Sequence, residues 1–294
     1  MRRALSCIKI HQKTSLKTRL ACSTNQSTME EANFTLINIS YLDLLIGFGL
    51  IIVSIGLSRW QNLTLERDLI TGAVRTCLQL IAIGYLLKYI FTLDQWFLVL
   101  ITLLVMIIVA AFTVARRQNK QTWELPYLVG FSLTAGSGIS VFLATQIILQ
   151  IKPWYEPHYL RPLAGMVIGN SMNGATLAVE RVDSEIKNKR MEIEAYLALG
   201  ATSQQAAHSC IKAAMRAAMI PTINSMMVVG LVSLPGMMTG QILSGTSPII
   251  AVKYQIIIMY MIAFSVALSS FILSKLRFRR YFTPDHQLIE EALI

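Results

Sequence analysis

The sequence predicts an all-α integral membrane protein with seven transmembrane helices. Of its 294 residues, 54% are hydrophobic and only 14% are charged, whereas soluble domains carry about 25% charged residues. Apolar runs of about 20 residues, the length that crosses a hydrocarbon core as a helix, recur along the chain. We therefore divide the chain into an N-terminal tail (1–36), a transmembrane domain (37–280) and a C-terminal cytoplasmic tail (281–294).

The N-terminal tail is basic and contains no acidic residue before Glu30. Six Lys and Arg residues lie within its first 19 positions, among several Ser and Thr residues. Organellar transit peptides are basic, Ser-rich and poor in acids, which gives one interpretation. The other is a non-native extension from an upstream start, with Met29 as the working initiator. Under both interpretations the tail lies outside the fold.

The first four spans are apolar runs with short polar connections between them. Arg59–Asp68 is polar, Thr92–Asp94 is a tight connection, and Arg116–Lys120 is basic. The runs between these connections have the length of transmembrane helices. The four spans are Ile37–Leu57, Ala73–Ile90, Trp96–Ala115 and Tyr127–Ile151.

The last three spans flank a long polar segment, which separates the fifth span from the sixth. An aromatic, proline-containing connection of the interfacial type, Lys152–Pro157, precedes the fifth span. Pro235 and Gly236 end the sixth span, and Gly236–Pro248 is predicted to be a loop of small residues. The three spans are Leu160–Val182, Ala217–Leu234 and Tyr254–Ser274.

The distribution of Lys and Arg predicts the orientation. Outside the N-terminal tail, alternate loops carry 16 basic residues and the opposite loops carry four. Cytoplasmic loops are the basic ones, so the polar segment Asp183–Arg216 and the C-terminus are predicted to be cytoplasmic and the N-terminus to be outside. Only the basic first 29 residues oppose this N-out, C-in orientation.

The polar segment between the fifth and sixth spans predicts a helix-turn-helix. Ser184–Leu199 contains good helix formers, with acids near its start. Gly200 stands where a helix C-cap favours a residue that tolerates positive φ. Thr202 or Ser203 can cap a second helix over Gln204–Met219. The alternative is an amphipathic loop lying on the membrane surface.

Several stretches of the chain resemble known transport proteins. Glu194-Ala195-x4-Gly200 is similar to the E-A-A-x-x-x-G segment with which ABC-transporter permeases dock on their ATPase, with Tyr196 in place of the second alanine. Over roughly residues 40–280 the chain resembles the FetB-type permeases, a family of bacterial iron-export permeases and related plant aluminium-tolerance permeases. The stretches that carry this resemblance are Gly169–Gly174 with Glu180-Arg181, Leu197–Thr202 and Leu231–Leu243.

The resemblance implies the membrane subunit of an ABC transporter that exports iron or a related metal or small solute. It also implies a separate P-loop ATPase that binds ATP and Mg, in a complex of two permeases and two ATPases. The sequence itself contains no G-x-x-x-x-G-K-[ST] motif, so ATP binding and energy coupling are expected to come from this partner. We expect the chain to be a transport subunit that is not an enzyme and has no cofactor of its own. The implied ATPase-coupling residues are Glu194, Ala195, Leu199, Gly200, Ala201 and Thr202.

Polar residues within the spans are the candidates for a substrate pathway. Asn170, Ser171 and Asn173 lie in the fifth span, where buried polar groups need partners or water. They line a path or, alternatively, connect neighbouring helices. Arg75 and Gln79 share one face of the second span, where Arg75 can instead extend to the membrane surface. Glu180 and Arg181 form a candidate cytoplasmic gate or a local ion pair.

Metal ligands do not form a readable cluster in the sequence. The four His residues are widely separated, and the four Cys residues are scattered without a CxxC pair. The 14 Met residues offer thioethers, which suit Cu(I) better than iron, although Met more often fills gaps in an apolar core. An iron cargo therefore rests on the resemblance, and no metal-binding residue is assigned.

Three other functions stay open at this point. They are a seven-span channel or receptor that works without an ATPase, an ABC permease for a nucleotide sugar, and an intramembrane enzyme. An H-E-x-x-H motif would support the enzyme, and the sequence does not contain one. The expected location is a bacterial inner membrane, or a plastid or other organellar membrane if the tail is a transit peptide. Nothing in the sequence indicates nucleic-acid binding.

Overall fold

The computed structural model describes residues 40–62, 64–93, 95–118, 123–283 and 285–289. In these ranges the chain forms helices joined by turns, with two isolated β-bridges and no strand, so the all-α prediction is confirmed. The predicted N-terminal tail (1–36) lies outside the described residues. The helices are α1 (Tyr41–Trp60), α2 (Glu66–Leu93), α3 (Trp96–Arg117), α4 (Leu125–Phe142, continued by a π-helix, Leu143–Ile148), α5 (Pro157–Asn188), α6 (Arg190–Ala198), α7 (Ser203–Ala206), α8 (His208–Val228), α9 (Gly236–Leu243) and α10 (Pro248–Arg279).

The described parts of the predicted spans lie on these helices, whereas residues 37–39 of the first span lie outside the described residues. The fourth span was predicted to continue to Ile151, but its helix ends at Ile148. Two larger corrections concern α8 and α9. The sixth span was predicted to continue to Leu234, but α8 ends at Val228 because Val229 is extended and Gly230 adopts a φ of +84°. A positive φ is incompatible with a right-handed helix. The segment predicted as a loop contains α9, which begins directly after Pro235. Proline suits a helix start because the first backbone N–H groups have no intrahelical partner.

Four of the described helical segments are long and apolar enough to cross a membrane: Leu42–Trp60, Trp96–Arg117, Leu125–Ile148 and Pro248–Arg279. Helices α2, α5 and α8 are also long, but they carry more polar and charged residues. The described part of the chain is therefore that of a helical membrane protein.

The main core joins α3, α4, α5 and α10. Its centre is made of fully buried aliphatic side chains such as Val114, Leu133, Val167 and Leu273. Helices α1 and α2 pack on each other and leave most of their apolar surface exposed. The main core is thus formed by four helices, and α1 and α2 form a peripheral pair.

Glycines allow α4 and α5 to lie very close to α10. A Cβ atom on Gly136 of α4 would overlap the Ser269 hydroxyl group and would lie 2.7 Å from the Ser269 backbone nitrogen. A Cβ atom on Gly174 of α5 would lie 2.6 Å from Cγ1 of Val266. Such close approach of backbones is a common way of packing helices in membranes.

A second, smaller core lies beside the turn that follows α6. We call α6, the turn and α7 the elbow (Arg190–Ala206), and the cluster beneath it the elbow core. The elbow core joins the elbow to the C-terminal end of α5, the N-terminal part of α8 and the end of α10. Its buried members are Val182, Ile186, Ile193, Ala206, Ala207, Cys210, Ala214, Phe278, Tyr281 and Phe282.

The chain that follows α10 folds back on itself as a short hairpin. The Ile289 N–H donates to the Tyr281 carbonyl (2.9 Å), and the Thr283 N–H donates to the Gln287 carbonyl (2.8 Å). His286 Nδ1 lies 3.0 Å from Oγ of Ser203 at the start of α7. This C-terminal hairpin therefore rests against the elbow.

Candidate functional site

The elbow has well-defined caps on both sides of its turn. Gly200 adopts a φ of +86°, and its N–H donates to the Leu197 carbonyl while the Ala201 N–H donates to the Tyr196 carbonyl, both at 3.0 Å. This pair of bonds is the Schellman motif of a helix C-terminus. Thr202 then caps α7. The predicted glycine turn between two helices is present.

The cap of α7 is a capping box. The Thr202 N–H donates to Oε1 of Gln205 (2.9 Å), and the Gln205 N–H donates to Oγ1 of Thr202 (3.4 Å). The predicted second helix is divided, because α7 ends at Ala206 and α8 begins at His208. The first helix is divided as well: α5 continues to Asn188, so α6 begins at Arg190 and not at Ser184. These breaks give the elbow a compact, capped shape.

One face of α6 is buried and the opposite face is an exposed apolar stripe. Ile193 is fully buried in the elbow core. Met191, Ala195 and Leu199 follow one another at intervals of four residues, which places them on one side of a helix. The Met191 and Leu199 side chains are 83% and 85% exposed. An isolated exposed leucine is ordinary, but here the apolar side chains form a continuous stripe on a structured projection.

All six predicted coupling residues lie on the elbow, but Glu194 interacts within its own helix. Its carboxylate accepts a hydrogen bond from Nε of Arg190 at 2.7 Å. Both side chains are largely exposed, and such pairs on a helix surface contribute about 0.3–0.5 kcal/mol. Glu194 therefore stabilises α6 locally.

A bidentate ion pair connects α5 to α10 above the elbow core. Nε and Nη2 of Arg277 each lie 2.9 Å from a carboxylate oxygen of Asp183. Nη2 of Arg277 also lies 3.4 Å from the Tyr281 hydroxyl group. Burial, together with the negative charge of Asp183, raises the pKa of Tyr281 and keeps this hydroxyl protonated. We call this set the latch.

The latch is absent from the sequence-based predictions. Asp183 and Arg277 are 94 residues apart in the chain, and each stands among other charged residues. Their only visible signal is that both lie just beyond apolar spans with the same predicted cytoplasmic end. That signal places them near each other but does not pair them.

The candidate gate pair is not formed. Glu180 is exposed, and Arg181 pairs instead with Glu185, with 2.6 Å between Nη2 and Oε1. Residues four apart on a helix are neighbours, whereas adjacent residues point in different directions. Glu185 also binds Lys189 at 3.2 Å, and this hydrogen bond raises the pKa of Lys189. The three residues stiffen the end of α5 that leads into the elbow.

The polar residues predicted for the pathway lie on two different faces of α5. Ser171 is fully buried, and its hydroxyl group lies 2.7 Å from that of Ser265, which donates to Ser137 at 3.3 Å. It therefore connects helices, as the alternative interpretation held. Asn170 and Asn173 are exposed on the opposite face. Asn170 donates to the Met166 carbonyl one turn earlier, at 2.7 Å.

The structure does not bring Arg75 and Gln79 together with these residues. Both are exposed on α2, which packs mainly on α1. Asn170, Asn173 and Glu180 are exposed on the same side of α5 over more than two helical turns, with the half-buried Thr176 and Leu177 between Asn173 and Glu180. We call this surface the α5 polar face.

The two faces of α5 predict different effects of alanine substitution. Ser171→Ala removes a buried interhelical hydrogen bond and is expected to lower the free energy of unfolding by about 0.6–1 kcal/mol. Asn173→Ala, on the exposed face, is expected to change it by less than about 0.5 kcal/mol. Denaturation of the purified variants in mixed detergent micelles measures both values. Equal losses would contradict the assignment of the two faces.

Residues 41–282 match the family UPF0014, whose description is an uncharacterised protein family. The chain belongs to the UPF0014 family. A UPF0014 membrane protein of Synechocystis is 44% identical to it over 254 residues, which cover 86% of this chain and 98% of that protein.

Two further relatives have names that refer to metals, and they confirm the resemblance to FetB-type permeases and plant aluminium-tolerance permeases. A protein of Escherichia coli named Probable iron export permease protein FetB is 35% identical over 256 residues, covering 87% of this chain and 97% of that protein. Protein ALUMINUM SENSITIVE 3 of Arabidopsis thaliana is 35% identical over 238 residues, covering 81% and 86% respectively. No solved structure matches this chain.

The described part of the chain contains no cluster of the side chains that usually bind metal ions. No group of three or more His, Cys, Asp or Glu residues is close enough there to hold a metal ion. Cys77 and Cys210 are free thiols, one exposed and one buried. The carboxylates of Glu194 in the elbow and Asp183 in the latch are each paired with an arginine, Arg190 and Arg277 respectively.

Proposed function

We propose that this chain is the membrane subunit of an ABC exporter that is driven by a separate P-loop ATPase. The observation that carries the proposal is the exposed apolar stripe of Met191, Ala195 and Leu199 on a rigid elbow. A helical projection of this kind fits a groove on a soluble partner, because an amphipathic helix can place its apolar face there. The elbow core then connects this surface to the membrane helices α5 and α10.

A seven-span arrangement with the N-terminus outside gives the elbow access to the cytoplasm. In this arrangement α2, α5 and α8 cross the membrane together with the four more apolar helical segments. Their polar residues then face protein or water, since polar groups in contact with lipid are costly. The excess of Lys and Arg in alternate loops supports the orientation. In this orientation the elbow, the latch and the C-terminal hairpin lie on the cytoplasmic side.

Two copies of the chain would form the substrate path between them. The α5 polar face is the surface that supports this arrangement, because Asn170, Asn173 and Glu180 cannot be left against lipid at low cost. Pairing two such faces encloses a polar passage that ends at the elbow. Asn170 and Asn173 are then the side chains that contact the cargo.

The cargo is proposed to be a metal or a related small solute. The names of the relatives from Escherichia coli and Arabidopsis thaliana refer to iron export and to aluminium. The default location is the bacterial inner membrane. ATP and Mg would be held by the partner, because this sequence has no phosphate-binding loop motif.

Leu199→Glu tests the docking assignment. A carboxylate in the middle of an apolar contact should remove at least the roughly 2 kcal/mol of a binding hot spot, which is a loss of affinity of about 30-fold. We expect the cognate P-loop ATPase to co-purify with the wild-type chain and not with this variant. The measurement is the ratio of ATPase to permease after affinity purification from detergent.

Leu231→Glu is the matched control. Leu231 is 90% exposed, but it lies in the turn between α8 and α9, away from the elbow. This variant should retain the ATPase. Full-strength binding by Leu199→Glu, or equal loss in both variants, would contradict the assignment of the elbow as the docking surface.

A further inference from the structure

A cavity of about 350 Å³ lies between the end of α8, α9 and the first half of α10. Three methionines, Met226, Met238 and Met259, are among the residues that line it, and each comes from a different helix. Tyr260 and Gln255 lie at the same cavity. The elbow is at the other end of α10, a helix of 32 residues that is about 48 Å long. The cavity is therefore separate from the docking surface.

Gln255 supplies an unusual polar group within this apolar cavity. Only 6% of the Gln255 residue surface is exposed. Its amide oxygen has no hydrogen-bond partner among the described residues. A buried carbonyl oxygen without a partner is unfavourable. A rotation of the Gln255 side chain that brings this oxygen to a cation in the adjoining cavity would therefore be favoured.

The composition of the cavity indicates which cation it would accept. No charged side chain is among its described lining residues. Hard cations such as Mg²⁺, Ca²⁺ and Fe³⁺ favour carboxylates and other oxygen ligands. Thioethers are soft ligands that favour Cu(I) and similar ions. The methionine side chain is unbranched and flexible, so three of them can close around an ion much smaller than the cavity.

We propose that this cavity binds a soft monovalent cation of the Cu(I) or Ag(I) class, held by the thioethers of Met226, Met238 and Met259 with the Gln255 amide oxygen nearby. The proposal concerns binding by this chain alone and does not require the ATPase. Its failure would therefore leave the docking experiment on Leu199 unaffected, and failure of docking would leave this site unaffected. With the orientation proposed above, the cavity lies near the outer face of the membrane.

Ag(I) is a suitable probe because it shares the ligand preference of Cu(I) and does not need a reducing agent. Thiols would compete for it, so the experiment uses the full chain carrying Cys7→Ser, Cys22→Ser, Cys77→Ser and Cys210→Ala. The purified protein in lipid nanodiscs is titrated with Ag(I) alone by calorimetry. In parallel, methionine labelled with ¹³C at the methyl group reports each Met by NMR.

We expect one Ag(I) per chain and shifts of the Met226, Met238 and Met259 methyl resonances. Replacing any one of these three by leucine, which has a similar volume, should weaken binding by at least the roughly tenfold that loss of even an outer ligand partner causes. Met227→Leu is the control, because Met227 neighbours Met226 on α8 but is 73% exposed and does not line the cavity. It should bind Ag(I) as the parent does.

Several outcomes would overturn the proposal. One is the absence of saturable Ag(I) binding by the chain without cysteines, provided that its helical content is unchanged. Another is binding that all three leucine variants retain. A third is an equal loss of affinity in Met227→Leu, which would indicate non-specific capture by surface thioethers.

Discussion

Replacing Gly136 by alanine is expected to lower the free energy of unfolding by about 3 kcal/mol, the upper end of the usual range for overpacking. The new Cβ atom would lie 2.7 Å from the backbone nitrogen of Ser269 and 3.0 Å from its Cα atom. A side chain could rotate away from such a contact, but these are backbone atoms of α10. Helices α4 and α10 must therefore move apart, and the buried contacts on both sides of Gly136 are weakened.

Gly138→Ala is the matched control for this substitution. Gly138 lies two residues further along α4 and has no atom within 4 Å of an added Cβ. Alanine is favoured over glycine within a helix by about 1 kcal/mol, so this variant should be as stable as the parent or slightly more stable. Thermal unfolding in detergent, followed by the fraction of monodisperse protein, compares the two. Equal midpoints would contradict the close contact between α4 and α10.

Breaking the latch is expected to have the second large effect. Arg277→Met leaves the Asp183 carboxylate without its guanidinium group in a mostly buried setting. Removal of one partner from a fully buried ion pair costs about 3–5 kcal/mol. The Asp183 side chain retains 24% exposure, so solvent relieves part of this cost and we expect a loss of about 2–3 kcal/mol. Equilibrium unfolding of the purified variant measures it.

The double variant Asp183→Leu/Arg277→Met separates stability from coupling. An apolar pair of similar volume often stabilises as well as the ion pair did, so its free energy of unfolding should return to within about 1 kcal/mol of the parent. If the latch transmits movement of the elbow to α10, cargo-stimulated ATP hydrolysis by the reconstituted complex should still fall by about tenfold, within the usual range of coupling energies. A double variant with parental stimulation would limit the latch to a structural role.

The features that were predictable from the sequence depend on local chemistry. A run of apolar residues specifies a buried or membrane helix by itself, which is why long helices lie on the predicted spans in the part of the chain that the structure describes. The turn of the elbow was predictable for a similar reason. Gly200 is suited to a positive φ, and Thr202 followed three residues later by Gln205 forms a capping box within one helical turn.

The features that were missed depend on partners far apart in the chain. Helical spacing separates Ser171 from Asn170 and Asn173, but it does not say which face turns inward. The inward face is the one that carries Ser171, because its hydroxyl group forms a hydrogen bond with that of Ser265 on α10. Ser265 lies 94 residues further along the chain. The latch is non-local in the same way. The cavity of three methionines also required the relative positions of α8, α9 and α10, which no local pattern encodes.

The C-terminal hairpin has a practical consequence for experiments on this protein. Because His286 contacts Ser203 on the elbow, an affinity tag or fluorescent protein inserted directly after this hairpin would begin beside the elbow. Such a fusion would compete with a soluble partner for the same space. The turn at Gly245, at the far end of α10, is exposed and accepts a short epitope without approaching the elbow. Interaction experiments with an internal epitope there would leave the docking surface in its native form.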